Sequence, residues 1–568
     1  MNLLPQVKKI EIADGYLAIN CIAPYNEDID YRLKKAIDKL PCHIDGVKLI
    51  IKTKDGNSEK YVIDISSDTI EITSEGLNGA FYGIQTLRQI LKAERVPYLH
   101  IEDEPDFEYR GLYHDVTRGK IPTVCTLKKL IDNMAYFKMN SLQIYVEHTF
   151  EFNETKELIK RTGYISKEEI KELDEYCYDN FIEFIPSIAT FGHMYEILEQ
   201  EQYKHLRACS KVKTPNNFWY SRMAHHTINP LNDESIKLIK SLIDQYEPLF
   251  KTDKFNICCD ETFDIEECGE NVDVGKLYID FVQKILDIMQ SKNKHVMMWA
   301  DILLKYPETL ETLPDDIYYL NWDYSDEPSE ENIIKLAKLG KKQIVCPGTS
   351  SWSRLCENVD TEEANITQMI DFGYKHKAVG VLNTNWGDYA NPASIDLAMY
   401  GIVLGAVKSW SVQTQIDEAF YDTINDILYG YNNAIQILKR ISKCHSMLVP
   451  IWNGFCAKYF NIRYGEEPQV KFNFNVDKIA EVQKECVSIL NELLAQTWCN
   501  DEAKEEMIIC AEGICVLAQL GAKMFDVTAE NIVDVNKWIV KYKNKWLQKN
   551  KESEVSKIEE MLLYINNL

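Results

Sequence analysis

Asp260 and Glu261 stand side by side at the end of the apolar run Phe255-Asn256-Ile257-Cys258-Cys259. Burying a carboxylate costs several kcal/mol unless it is paired or hydrogen-bonded, so packing gives no reason to build two there. At the mouth of a barrel one such group can hold a proton while its neighbour holds a charge, the division of labour that acid–base chemistry requires. The competing reading is a polar loop after a buried strand, the commoner meaning of an isolated dipeptide. The rest of the chain argues against it.

Between about residues 105 and 410, short apolar runs recur at Gly111–Val116, Ser141–Val146, Phe181–Ile188, Phe255–Cys259, His295–Trp299, Ile317–Trp322, Gln343–Cys346 and Ala378–Leu382. Helix-like segments such as Leu127–Phe137, Ser166–Asn180 and Ser235–Phe250 lie between them. Alternation of this kind predicts a parallel sheet, and eight repeats predict a closed (β/α)8 barrel. A doubly wound open sheet is the alternative, but no Gly-rich dinucleotide or phosphate loop follows the first run.

A barrel collects its chemistry at the C-terminal ends of its strands. The first run is introduced by Arg110 and followed by Asp115 and Arg118, and the second ends in Glu147-His148. The third leads to Gly192-His193, the fourth to Asp260-Glu261 and the fifth to Trp299-Ala300-Asp301. Trp322-Asp323-Tyr324 closes the sixth, Trp352 lies past the seventh, and Trp386-Gly387-Asp388 follows the eighth. A single Trp here is as readily wall packing as binding surface. Four converging on one face would form an aromatic cage suited to sugar rings.

Residues 1–104 are expected to form a small α+β domain. Tyr61–Ile65 and Thr69–Ile72 alternate as strands around the turn Ser66-Ser67-Asp68, and Gly79–Leu91 has helical spacing. Residues 411–568 read as an α-helical domain with amphipathic stretches at Ile479–Ala495 and Val535–Leu547 and no catalytic motif. The overall expectation is an α/β protein: a TIM barrel at 105–410 with an accessory domain on each side. Such a helical domain could serve a homodimer.

Composition narrows the partners. A net charge of −25 repels nucleic acid and anionic membranes, so neither is expected. There is no run of 18 apolar residues, and the first residues lack the apolar stretch of a signal peptide, so a cytoplasmic protein is expected. The 16 cysteines are scattered without a Cys-x-x-Cys pair and read as buried thiols. Cys258 and Cys259 have no matching Cys/His spacing nearby, so no metal or other cofactor is expected.

At these residues the chain resembles glycoside hydrolase family 20, the β-N-acetylhexosaminidases. Arg110-Gly111-Leu112-Tyr113-His114-Asp115-Val116-Thr117-Arg118 is similar to that family's first barrel strand, and Lys138–Leu142 to its second-strand entry. Thr227–Pro230 and Asn256–Glu261 are similar to the approach to its catalytic Asp-Glu pair, and Gly79–Leu91 to the end of its small N-terminal domain. The resemblance implies an exo-acting enzyme that removes terminal β-linked GlcNAc or GalNAc from oligosaccharides. It implies a retaining mechanism in which the substrate's own acetamido oxygen attacks C1 to give an oxazolinium ion; the family is a known exception to the two-carboxylate scheme.

By the same resemblance Glu261 would be the general acid and then base, and Asp260 would orient the 2-acetamido group. Arg110 would bind the 3- and 4-hydroxyls, His193 would sit in the network behind the carboxylates, and Asp388 would take the 4- or 6-hydroxyl. Trp299, Trp322 and Trp386 would wall the acetamido pocket, with Trp352 or Tyr324 donating to the acetamido oxygen where the family often has another Tyr. Strict pleating would point Asp260 and Glu261 to opposite faces, so the strand's alternation must break at its end. His148 stands near a position usually acidic in the family, with Glu147 before it, and Arg354 stands where an acidic residue is expected. The rival readings are a glycosidase of altered specificity, such as a disaccharide-releasing one, and a non-catalytic glycan-binding barrel. A metal-dependent hydrolase ranks third, because Tyr113-His114-Asp115 replaces the His-x-His of such barrels.

Overall fold

The computed structural model describes residues 3–17, 22–24, 29–40, 47–93, 95–208, 226–268, 272–388, 390–464 and 474–567. The N-terminal strands are β1 (Lys9–Leu17), β2 (Ile22–Pro24), β3 (Val47–Thr53), β4 (Asn57–Ile65), β5 (Thr69–Gly76) and β6 (Val96–Asp103), in the sheet order β1-β6-β4-β5-β3-β2. The alternation at the expected hairpin is the pleat itself. Tyr61, Ile63, Ile65, Ile70 and Ile72 face inward and are buried beneath the helix Leu77–Ile90, while the turn closes through Ser66 N–H to Thr69 O at 2.9 Å.

Eight strands follow: β7 (Tyr109–Asp115), β8 (Ser141–Val146), β9 (Glu183–Ile188), β10 (Lys254–Asn256), β11 (His295–Trp299), β12 (Tyr318–Trp322), β13 (Lys342–Cys346) and β14 (Gly380–Asn385). They pair in parallel and close into a barrel, β14 returning to β7 with Leu382 opposite Gly111. The barrel interior is a packed core in which Tyr113, Ile185, Met297, Leu320 and Ile344 meet, as expected when inward residues of all strands fill the centre. Between the strands, apolar spacing and caps set the helices. Ser166, for example, caps Lys167–Asp179 in a capping box with Glu169.

One strand ends three residues before its apolar run does. β10 stops at Asn256, because Cys258 and Cys259 adopt left-handed backbone at φ 58° and 67°, a conformation no strand contains.

The C-terminal part is helical, with Ala434–Tyr464, Asp477–Ala495, Asp501–Met524, Val535–Lys549 and Val555–Asn566 packed together. Asp501–Met524 is long and apolar enough to cross a membrane, but 78% of its apolar window is buried inside the protein, as a core helix would be. This part docks on the barrel through Arg354, which donates to Ser442 O and Ser446 Oγ, and through Lys549, paired with Asp396 on the barrel side and Glu506 within the helices.

Candidate active site

A cavity of about 380 Å³ opens at the C-terminal face of the barrel, a size usual for a small-molecule site. Asp260 and Glu261 line it, and the break in β10 explains how adjacent residues both do so. Cys258, Cys259 and Glu261 all have positive φ, the last at 50°. Each such residue costs of order 1–3 kcal/mol and persists only where its surroundings fix it. Here they do. Ile257 N–H donates to Met297 O at 2.9 Å and Trp299 N–H to Cys258 O at 3.0 Å, while Cys258 N–H donates to Asn256 Oδ1 at 2.9 Å. Tyr278 Oη–H donates to Cys259 O at 2.8 Å and Glu261 N–H to Asp301 Oδ2 at 3.1 Å. From the other side Gly192 lets the β9 loop approach so closely that a Cβ there would lie 2.3 Å from Asp260 O.

His193 joins the two carboxylates. Its Nε2 is 3.2 Å from Asp260 Oδ2 and 3.2 Å from Glu261 Oε2, and Nδ1 is 3.8 Å from Glu147 Oε1. Burial opposes a charge on this ring, but Asp260 and Glu261 outweigh it and push the imidazole up to about 10. His193 N–H donates to His226 Nδ1 at 3.1 Å, so that neighbour presents Nδ1 as an acceptor. Among the described residues, His193, Asp260 and Glu261 are the one group of such donors close enough to share a metal ion. Their spacing is equally that of a protonated histidine between two carboxylates.

Arg118 supplies positive charge beside His193, with Nη2 3.5 Å from His193 Nδ1. Its guanidinium lies 2.9 Å from Asp115 Oδ2 and 3.3 Å from Glu147 Oε1, and stands over the rings of Tyr145 and Trp386 at 5.1 Å each. Arg110, expected to bind sugar hydroxyls, does not reach the site. It is the second residue of β7, at the N-terminal end of the barrel, with no exposed surface. There it pairs with Glu59 of the N-terminal sheet at 2.6 Å and donates to Phe107 O and Lys138 O. Of Arg110 within this strand and Arg118 beyond its C-terminal end, only Arg118 lines the cavity.

Trp299, Trp322, Trp352, Trp386 and Tyr324 wall one side. Trp322 stacks on Tyr324 with centroids 5.2 Å apart and planes at 18°, and Tyr324 meets Trp352 at 5.3 Å. Trp386 Nε1–H donates to Tyr324 Oη at 2.7 Å, and Thr384 is a second hydrogen-bond partner of the same hydroxyl. Asp388 also lines the cavity. Glu147, not His148, is the acidic group after β8: alternation from Tyr145 carries residue 147 inward, and burial holds His148 neutral below its usual range with neither ring nitrogen hydrogen-bonded. Arg354 lies outside the site, at the seam with the helices. Sequence reasoning missed Tyr195, His226 and Phe263, which line the cavity from connecting segments. No periodicity marks such positions; the one available signal for His226 was its place directly before the Thr227–Pro230 segment.

The catalytic-domain model of glycosyl hydrolase family 20 matches residues 107–421, and that family's domain 2 matches residues 20–104. A β-hexosaminidase of Porphyromonas gingivalis is 27% identical over 283 residues, covering 43% of this chain and 36% of that protein. A lacto-N-biosidase of Bifidobacterium bifidum is 21% identical over 424 residues, covering 72% of this chain and 35% of that protein. The chain spans about a third of the length of each of these relatives. The solved structure of an exo β-N-acetylglucosaminidase from Vibrio harveyi, in complex with N-acetylglucosamine, superposes with a TM-score of 0.60 at 17% identity, over 77% of this chain and 78% of that one, a likeness of fold. With the catalytic-domain match covering more than half of the sequence and the domain 2 match lying directly before it, the chain belongs to glycosyl hydrolase family 20.

Proposed function

We propose that the protein is an exo-acting β-N-acetylhexosaminidase that releases terminal β-linked GlcNAc or GalNAc with retention of configuration, by substrate-assisted catalysis. The observation that carries this reading is the Asp260–Glu261 pair, both side chains in one cavity, facing a wall of four tryptophans and a tyrosine. Glu261 protonates the leaving oxygen and then activates water. Asp260 holds the acetamido N–H and balances the charge that develops on the amide as its oxygen attacks C1. The aromatic wall excludes water from the acetamido group, and the Tyr324 hydroxyl or the Trp352 indole N–H donates to its oxygen. Arg118 and Asp388 bind ring hydroxyls, Arg118 taking the role first expected of Arg110.

Retention follows from two displacements at C1, first by the acetamido oxygen and then by the water that Glu261 activates. A cytoplasmic setting belongs to the same proposal and is supported by the cysteines, which are free wherever described.

Hydrolysis of 4-nitrophenyl β-N-acetylglucosaminide beside the matching β-glucoside tests the mechanism. Turnover of the first alone is expected. Equal turnover of both would sink acetamido participation and point to a carboxylate nucleophile. Disaccharide release is the second reading, favoured by the long match to the lacto-N-biosidase. It would prevail if only a 4-nitrophenyl β-disaccharide were cleaved, with the disaccharide leaving intact.

A further inference from the structure

Among the described residues, one contact that holds the turn 257–261 comes from a carboxyl group. Asp301 opens the short helix Asp301–Lys305, directly after Trp299-Ala300 at the end of β11. Its Oδ2 accepts the N–H of Glu261 at 3.1 Å, and its Oδ1 is enclosed without a hydrogen-bond partner. We propose that Asp301 is a positioning residue for the general acid: by gripping the Glu261 peptide N–H it fixes the left-handed turn that aims the Glu261 side chain into the cavity. The inference rests on the reading of Glu261 as the acid.

Three observations support it. Glu261 has φ 50° without being glycine, so something must hold it there. The neighbouring residues 257–259 are anchored by main-chain groups of β11 or by the uncharged side chains of Thr190, Asn256 and Tyr278, and the Glu261 amide is held by Asp301. Finally, an acidic group is a costly choice in this place. Burial raises the Asp301 carboxyl to about 7, Asp260 and Glu261 add to the rise, and the Glu261 N–H and Lys305 oppose it. Cys259 and Tyr278, also facing it, are themselves shifted up with Asp301 among the causes. A residue kept only for packing would not carry a carboxyl behind two others.

The test compares Asp301→Ala, which removes the acceptor, with Asp301→Asn, whose amide oxygen can accept the same N–H. Each is assayed on phenyl and 3,4-dinitrophenyl β-N-acetylglucosaminides. A dinitrophenolate leaves with little protonation, whereas a phenolate needs the acid, so a misaimed Glu261 is felt on the poorer leaving group. Asp301→Ala is expected to lose at least about 10-fold more kcat on the phenyl than on the dinitrophenyl substrate with KM little changed, and Asp301→Asn to restore most of the loss. If Asp301→Ala does not fold, the nearly isosteric Asp301→Leu, which also lacks an acceptor, carries the same comparison. Equal losses on both substrates, no loss, or an Asn variant as impaired as the Ala variant would overturn the inference. A wild-type protein inactive on both glycosides would overturn the functional reading, and this inference with it.

Discussion

His193 is charged because two carboxylates share it, and that has a consequence for stability. Its folded value of about 10 lies above the ordinary 6.5, so the folded state holds a proton that the unfolded state has lost between those two values. The stabilisation is therefore complete below pH 6.5 and disappears as pH rises through 10. Urea unfolding at pH 7, 8.5 and 10 is expected to show stability falling by up to about 1.4 kcal/mol per pH unit from this group, and the fall should be absent in His193→Gln. Arg110 gives a different prediction. Arg110→Met leaves Glu59 without its cationic partner at the seam between sheet and barrel, with Tyr82 and Asn140 still donating to it. It should cost about 3–5 kcal/mol in urea unfolding while kcat/KM of the folded protein stays near that of wild type. An arginine that bound the sugar would give the reverse pattern. Residue type alone did not separate Arg110 from Arg118, since both flank an apolar run. Strand polarity did, because a residue entering a barrel strand lies at the face opposite the chemistry. The same pleat logic would have chosen Glu147 over His148.

At the scale of elements, the strands and helices were readable because burial imposes periods of two and of about 3.6 residues on the sequence. The eight barrel strands overlap the eight predicted runs. What did not show was the place where a period stops. Ile257-Cys258-Cys259 is as apolar as a strand, and only the left-handed turns reveal that it is the support of the Asp260–Glu261 pair. His226, Tyr195 and Phe263 sit in connecting segments, whose contacts are set by tertiary neighbours and leave no local pattern. The close approach of the β9 loop makes Gly192 a test of this support. A methyl group there meets the Asp260 carbonyl oxygen, which is backbone and cannot swing aside. Gly192→Ala should therefore shift the carboxylates and lower kcat by about 10- to 100-fold, as sub-ångström misplacement does. Steady-state kinetics beside a far-ultraviolet spectrum of the variant would check it; wild-type kcat would mean the loop has slack.

At the scale of the molecule, three parts share charged seams. Lys138 sits with no exposed side chain between Asp103 of the N-terminal sheet, at 2.9 Å, and the ring of Trp410, at 4.3 Å, where the barrel gives way to the helices. Together with Arg110–Glu59 it ties sheet to barrel, and Arg354 and Lys549 tie barrel to helices. The turn that presents Asp260 and Glu261 has no independence from this whole. Its amides and carbonyls are stitched to strands on both sides, so the site cannot soften while the barrel stands. Heat should then inactivate the protein in the same narrow interval in which its tertiary structure melts, with no earlier loss of turnover. Residual activity would serve as a gauge of intact barrel, and amide protons of residues 257, 258 and 261 would exchange with solvent only as fast as the entire molecule opens.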